Sequence, residues 1–246
     1  TINKLDIQVY WCNERLIARD WLNALPDELI LSDSWLSILL AYITLSEGRL
    51  RDSEMVFDQA LSDIVEKDSF DNARNSMLRG VILAAKSIFS YHHHMNWNDA
   101  LSQVNLALRL IPTELVYDRC LAYLHGGGAL IQFGELTQAE EYLLYAFDLT
   151  QKNNSSGQKL LTLGNLGQLK LIQGKLHQAA TYWQEAYHYA KSLHKVADCS
   201  LYTHVLVGLG NLYYEWNQLD TAAEFLKEAI EITPRNGGFL DRILIC

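Results

Sequence analysis

The sequence has 246 residues, of which 49% are hydrophobic and 20% are charged, so it is long enough to bury a sizeable apolar core. Its net charge is −9 and it contains no Lys/Arg cluster, which argues against direct contact with nucleic acid. No apolar run approaches the roughly 20 residues of a membrane span, and the N-terminus lacks an initiator Met and a signal-peptide pattern. We therefore expect a cytoplasmic domain cut from a longer protein.

Cysteine and histidine provide the candidate metal ligands. The four cysteines are Cys12, Cys120, Cys199 and Cys246. They lie far apart and form no C-x-x-C pair, so we expect reduced thiols and no cysteine metal site. Consecutive helical residues point about 100° apart, so His92-His93-His94 is not expected to converge on one ion. This run predicts a partly exposed helix end, and no metal or cofactor is expected.

The predicted helices begin in the first quarter of the chain, where residues 36–45 are largely apolar and predict a buried helix. A pattern then recurs along the chain: a small residue, an apolar residue, a second small residue, a bulky apolar residue and an alanine. Its five copies start at positions 48, 95, 134, 174 and 217, about 40 residues apart. Such a period indicates a repeat architecture.

The copies differ in how closely they match. Two looser ones come first, Gly48, Leu50, Ser53, Phe57, Ala60 and Met95, Trp97, Ala100, Val104, Ala107. The three close ones are Gly134, Leu136, Ala139, Leu143, Ala146, then Gly174, Leu176, Ala179, Trp183, Ala186, then Asn217, Leu219, Ala222, Leu226, Ala229. A leading Gly or Asn ends one helix at a positive φ, and the small residues let a neighbouring helix approach the next one. The pattern predicts antiparallel helix pairs that stack.

The first helix of each later pair carries a glycine twelve positions before the second small residue, at Gly127, Gly167 and Gly210. A glycine inside a helix costs about 1 kcal/mol relative to alanine, so these predict a close helix–helix contact. The run Gly126-Gly127-Gly128 is therefore predicted to be packing glycine rather than a phosphate cradle. Pro112 and Pro234 each follow the last helix of a pair, and residues 152–157 have the composition of a loop.

Together these residues resemble the tetratricopeptide repeat, most closely over residues 121–234. The resemblance implies an all-α fold, a right-handed superhelical solenoid of antiparallel helix pairs, here predicted as a single domain over residues 1–246. The period near 40 exceeds the usual period of about 34. Longer repeats of this type, together with WLNALP at 21–26 and Trp35-Leu36, resemble the sensor domain of MalT-like regulators of the LuxR family.

That narrower resemblance implies a sensor lying between a nucleotide-binding switch module and a helix-turn-helix. Neither a phosphate loop nor a basic recognition helix is present in this sequence, which supports the expectation of a fragment. The apolar run at 239–245 is expected to pack in a non-native way or against a second molecule, so self-association is a further expectation. Trp183 is predicted to be buried between helix pairs.

A stripe on the first helix of each pair is expected to line the concave wall of such a solenoid. The candidate ligand-binding residues on this stripe are Phe89, His92, His125, Gln132, Asn165, Gln168, His204, Asn211 and Tyr214. The same stripe includes Tyr42, Lys86, His93 and Glu215. Its amides, imidazoles and aromatic rings suit a neutral polar ligand or an extended peptide. Asn165, Gln168 and Asn211 are favoured because they flank the tight glycine contacts.

No catalytic motif such as G-x-S-x-G or H-E-x-x-H occurs, so an enzyme is not expected. The first hypothesis is a sensing domain that binds a small-molecule or peptide inducer and acts on other domains of the same regulator. The alternative is a protein-interaction scaffold or adaptor of the tetratricopeptide type. The terminal-carboxylate clamp of chaperone adaptors is incomplete here, since only Lys86, Asn165 and Asn211 are available.

Overall fold

The structure is a computed structural model that describes residues 15–66, 73–153, 155–193 and 200–232, and within these ranges all regular structure is helical. The α-helices of this part of the chain are α1 (Arg15–Asn23), α2 (Asp27–Ser32), α3 (Ser34–Ser46), α4 (Leu50–Glu66), α5 (Ala73–Ile88), α6 (Trp97–Leu110), α7 (Val116–Phe133), α8 (Leu136–Asn153), α9 (Ser156–Ile172), α10 (Leu176–Ser192), α11 (Ser200–Glu215) and α12 (Leu219–Ile232). A π-helical turn, Phe89–His93, continues α5.

Ten of these helices form five pairs: α3 with α4, α5 with α6, α7 with α8, α9 with α10, and α11 with α12. We call the first members (α3, α5, α7, α9, α11) the inner helices and the second members the outer helices. Each inner helix contacts the inner helix of the next pair, and each outer helix contacts the inner helix that follows it. The pairs therefore stack into a right-handed superhelical solenoid, which confirms the predicted fold.

The turn inside each pair has the conformation that the repeat predicted. The leading residue of every copy has a positive φ: 77° at Gly48, 53° at Met95, 77° at Gly134, 71° at Gly174 and 57° at Asn217. Glycine adopts this left-handed conformation without steric cost and asparagine tolerates it, whereas methionine rarely does. The turn of the second pair, which joins the π-helical segment to α6, is thus the one built on an unfavourable residue.

Glycines of the inner helices touch the bulky residue of their own outer helix. The three contacts are Gly127 with Leu143, Gly167 with Trp183, and Gly210 with Leu226. A Cβ added at any of these glycines would lie 2.7 Å from the facing side chain, closer than Cβ atoms normally come to another group. The predicted packing role of the glycines is confirmed, and Trp183 is fully buried as predicted.

The link between α8 and α9 is shorter than the sequence predicted. Residues 152–157 were expected to form a loop, yet α8 continues to Asn153 and α9 begins at Ser156. Ser155 is the N-cap of α9, and its hydroxyl oxygen accepts a hydrogen bond from the N–H of Gln158. Serine and asparagine favour helix caps as well as loops, so composition alone did not separate the two.

Several sequence features lie outside the described residues: Cys12, Cys199, Cys246, Pro234 and the apolar run at 239–245. Cys120 is buried, and its thiol donates a hydrogen bond to the carbonyl oxygen of Ala146 at 3.5 Å. α6 ends at Leu110, just before Pro112, as the pattern predicted. Among the described helices, none is both long and apolar enough to cross a membrane.

Candidate functional site

A cavity of about 180 Å³ opens between the inner helices and takes side chains from four of the five pairs. It is lined by Tyr91, His92, Met95, Trp97, Leu124, His125, Gln132, Leu161, Asn165, Leu201 and His204. The π-helical turn, the residues that join it to α6 and the start of α6 provide the first four, and α7, α9 and α11 provide the others. We call this cavity the inner pocket.

Three imidazoles meet in the inner pocket although they lie far apart in the sequence. The ring centroids of His92 and His125 are 6.0 Å apart, with the rings at 89°. His204 reaches the pocket across Gly164 of α9, where an added Cβ would lie 2.9 Å from the imidazole. The missing side chain at Gly164 therefore makes room for the ring of His204.

All three imidazoles are neutral at neutral pH. Burial lowers the pKa of His125 to about 3, and it lowers the pKa of His92 and of His204 to about 4. Repulsion from His204 lowers the pKa of His92 further, and repulsion from His92 does the same for His125. A neutral imidazole has one hydrogen-bond donor and one acceptor, so the pocket has both kinds of group without a formal charge.

The tautomer of His125 follows from its partners on α5. The hydroxyl of Ser87 donates to the carbonyl oxygen of Ala84 at 2.6 Å, and its oxygen lies 3.0 Å from Nδ1 of His125. A serine hydroxyl has a single proton, so Nδ1 must be the donor in the second bond. The network therefore assigns the proton of His125 to Nδ1 and makes its Nε2 an acceptor.

Tyr91 forms the side of the inner pocket next to α7. Its ring lies against the backbone of Gly128, where an added Cβ would approach the phenol to 2.9 Å. It also contacts the ring of His92 edge-on, with centroids 4.4 Å apart. Burial raises the pKa of the Tyr91 phenol, and a hydrogen bond from Gln132 opposes this rise. Tyr91 is thus a neutral phenol held by an amide.

The rest of the lining is apolar. Met95, Trp97 and three leucines surround the polar groups, and the Trp97 ring is held edge-on by Phe133 with centroids 6.5 Å apart. A mostly apolar cavity with a few convergent polar groups is the usual composition of a small-molecule site. The groups available for chemistry are neutral donors and acceptors, which suits recognition of an uncharged polar ligand.

Of the nine predicted ligand-binding residues, five line the inner pocket, three lie outside its lining and one, Phe89, lies in the core. His92, His125, Gln132, Asn165 and His204 all line the inner pocket. Gln168 is half-buried on α9 outside the pocket lining, and Asn211 and Tyr214 are exposed on α11 beyond it. All nine residues lie on one stripe of the predicted helices, but the sequence does not show which part of that stripe lines the cavity.

Phe89 is the member of this set that the structure corrects. Its side chain is 1% exposed and contacts Phe57 of α4 at a centroid separation of 6.2 Å, so it belongs to the core between the first two pairs. Tyr42 is likewise fully buried in that core, with its ring 5.3 Å from that of Phe57. The inner wall therefore begins at the second pair, and neither aromatic ring faces it.

Sequence reasoning also missed pocket residues. Tyr91, Met95 and Trp97 lie in the π-helical turn or next to it, where a regular helical projection assigns the wrong faces. One signal was available: Gly128 is the third glycine of its run and has no counterpart in the repeat. A glycine that packs closely but has no repeat counterpart indicates a contact with a side chain that is also outside the repeat pattern. In the structure that side chain is the ring of Tyr91.

The histidine run forms a partly exposed helix end, as the sequence predicts. His92 lines the pocket while His93 and His94 are exposed, so the three do not converge. Glu54 of α4, however, adds a third donor, and one ligand atom each from Glu54, His93 and His94 lie within 4.8 Å of one another. Glu54 lies on another helix, so its position beside the two histidines does not follow from the spacing of consecutive residues.

Comparisons with known proteins agree with this architecture. The sequence model of the family described as the MalT-like TPR region matches residues 80–239 of this chain. Among curated protein sequences, no match was found. A solved structure of BtubC (BKLC) from P. vanneervenii is similar at a TM-score of 0.61 and 17% identity, covering 92% of this chain and 89% of that chain.

A second similar structure is the APC/C hetero-tetramer Cut9–Hcn1, at a TM-score of 0.59 and 18% identity. The similarity covers 90% of this chain but 36% of that chain. At these identities, both structures support the solenoid fold and nothing finer.

Proposed function

Because the chain belongs to the family of MalT-like tetratricopeptide-repeat regions, we propose that it is the ligand-sensing domain of a LuxR-type transcriptional regulator. The observation that carries this proposal is the inner pocket, whose lining joins the second helix pair to the fifth. In a solenoid each repeat contacts mainly its neighbours, so its curvature depends on the neighbouring interfaces. A ligand held by His92 and His204 at once adds a contact between pairs that are not neighbours.

The expected inducer is a small, uncharged and polar molecule. Neutral imidazoles and amides donate and accept hydrogen bonds, and the aromatic rings offer flat surfaces for a sugar ring or an aromatic group. No charged side chain lines the pocket in the part of the chain that the structure describes. A phosphate or carboxylate group would lose its hydration there without gaining a counter-charge.

Binding would act on the regulator by shifting the equilibrium between conformations of the solenoid. A ligand that binds one curvature of the solenoid more tightly than another favours that curvature by its difference in affinity. The inner helices carry the pocket, so a change in their spacing reaches the outer helices through the contacts within each pair. Other domains of the same cytoplasmic regulator, or a second copy of it, would respond to that change.

Titration calorimetry against neutral sugars, uncharged metabolites and short neutral peptides tests the proposal. For a ligand of the wild-type chain, Asn165→Leu is expected to weaken binding at least about tenfold, because a desolvated hydrogen bond is lost. Gln168→Leu is the matched control, since Gln168 lies on the same helix outside the pocket lining. Failure of every class to bind, or equal weakening by both variants, would contradict the proposal.

A protein-interaction scaffold is the second candidate, favoured by two residues beyond the pocket. Asn211 and Tyr214 follow His204 on α11, and Tyr214 is 65% exposed. An extended peptide lying along the inner helices could reach these side chains after leaving the pocket. A stoichiometric protein partner that is lost with Tyr214→Ala, in the absence of any small-molecule binding, would favour the scaffold.

A further inference from the structure

Three metal-ligating side chains meet at the junction of the first two helix pairs. Glu54 lies on α4, His93 ends the π-helical turn and His94 follows it. Nε2 of His94 is 2.6 Å from Oε1 of Glu54, and one ligand atom of His93 lies within 4.8 Å of both partners. We call this group the junction cluster. It lies outside the lining of the inner pocket.

Two consecutive histidines lie close together where the π-helical turn ends. Its wider winding is closed by a bond from the N–H of His94 to the carbonyl oxygen of Phe89 at 2.8 Å. The rings of His93 and His94 have centroids 4.8 Å apart at an angle of 64°, although neighbours on a regular helix point apart. π-helical segments are rare in proteins, and those that occur are often located at functional sites.

We propose that the junction cluster is a binding site for Zn²⁺. Two imidazole nitrogens and one carboxylate oxygen form a donor set that zinc uses in sites with an open fourth position, which water can fill. Metal–ligand bonds of about 2.0–2.2 Å place the ligand atoms of a tetrahedral site roughly 3.3 Å apart. The His94–Glu54 contact must therefore open slightly and the longest separation must shorten.

The side chains of His94 and Glu54 have room to rotate. The side chain of His94 is 46% exposed and that of Glu54 is 22% exposed, so neither is held in a packed core. Imidazole nitrogen also discriminates between metals, because Mg²⁺ prefers an octahedron of oxygen ligands. The junction cluster is thus expected to bind Zn²⁺ in preference to Mg²⁺.

The ion would fasten the first pair to the second. Asp58, one turn after Glu54 on α4, already forms an ion pair with Lys86 of α5, so the same edge of α4 faces the end of α5 at two levels. A metal held by Glu54 and the two histidines adds a second and stronger tie along this edge. It would also fix the backbone between His92 and Met95, both of which line the inner pocket.

Calorimetric titration of the metal-free 246-residue chain with ZnCl₂ and with MgCl₂ tests the site, using protein purified without a histidine tag. We expect one Zn²⁺ per chain and no comparable heat from Mg²⁺. Glu54→Gln and His94→Asn should each raise the Kd for Zn²⁺ at least about tenfold, because each removes a ligand. His188→Asn, an exposed histidine on α10, is the matched control and should leave the Kd unchanged.

A second measurement separates loss of the site from loss of the fold. The far-UV circular dichroism spectra of the metal-free variants should equal that of the wild type. Zn²⁺ should raise the Tm of the wild type and of His188→Asn, but not that of Glu54→Gln or His94→Asn. The proposal is overturned if Zn²⁺ does not bind, if Glu54→Gln or His94→Asn binds as tightly as wild type, or if His188→Asn weakens binding equally.

Discussion

His125 is the residue on which the chemistry of the inner pocket depends most. Its imidazole is buried, its Nδ1 donates to Ser87 and its pKa is lowered to about 3 by burial. The folded chain therefore keeps His125 neutral at pH values where the unfolded chain, with a pKa near 6.5, binds a proton. The free energy of unfolding is therefore highest above pH 6.5. It falls as the pH is lowered from 6.5 towards 3, because the unfolded chain gains a proton that the folded chain does not bind.

His125→Asn should flatten the dependence of stability on pH. A histidine that is neutral in the folded chain but protonated in the unfolded chain changes the free energy of unfolding by up to about 1.4 kcal/mol per pH unit. Between pH 6 and pH 5 the variant should lose about 1 kcal/mol less free energy of unfolding than the wild type. Asparagine can retain the donor to Ser87. Urea unfolding at the two pH values measures the difference.

His188→Asn is the control for this experiment, because His188 is exposed. Equal slopes for His125→Asn and the wild type would show that His125 titrates in the folded chain as it does in the unfolded one.

The helix pair is the element that sets the geometry of the solenoid. A glycine on the inner helix lets the bulky side chain of the outer helix lie directly on the backbone. The same arrangement recurs at Gly127, Gly167 and Gly210, so the spacing within these pairs is set by one contact rather than by general hydrophobicity. Gly128 and Gly164 use the same device to seat Tyr91 and His204 in the pocket.

Gly167→Ala and Gly157→Ala isolate this contact within a single helix. A Cβ at position 167 would lie 2.7 Å from the Trp183 ring, whereas at position 157 its nearest neighbour would be Leu201 at 3.4 Å. Both changes favour the helix by up to about 1 kcal/mol. Overpacking typically costs about 1–3 kcal/mol, so Gly167→Ala should be the less stable variant by roughly that amount.

Chemical denaturation of the two variants measures this difference in the free energy of unfolding. Equal stability of both proteins would mean that the ring of Trp183 moves aside at little cost. The pair geometry would then not depend on the glycine.

The whole molecule is a stack whose stability is divided among pairs and the interfaces between them. Trp183 lies at one such interface. Its indole touches Gly167 of its own pair and Gly208 of the next, and its side chain is fully buried. A ring that contacts two inner helices at once couples the fifth pair to the fourth.

Trp183→Ala should lower the free energy of unfolding by about 3–5 kcal/mol, as large-to-small core changes do. Its effect should also be local: amide hydrogen exchange in α11 and α12 should accelerate more than in α5 and α6, because the lost contact lies at the fifth pair. Trp21→Ala is the control, since Trp21 is 52% exposed. A uniform acceleration along the chain would mean that the solenoid unfolds as one unit.

The repeat could be predicted from the sequence because its determinants are local. A positive φ at each leading residue, small residues seven positions apart and one glycine per inner helix act within a single pair, and their spacing along the chain fixes the contact. Gly134, Gly167 and Trp183 lie where the pattern placed them. By itself, the sequence therefore determined the helix pairs and their stacking.

The sites depend on contacts between residues far apart in the chain. Phe89, Tyr91, His92 and His93 all belong to the π-helical turn, and no position of the repeat pattern predicts that turn. Glu54 joins His93 and His94 from another pair. The sequence placed five of the pocket's lining residues on one stripe. Tertiary structure decided which members of that stripe meet, because the curvature of the stack and one irregular turn set distances that sequence spacing does not encode.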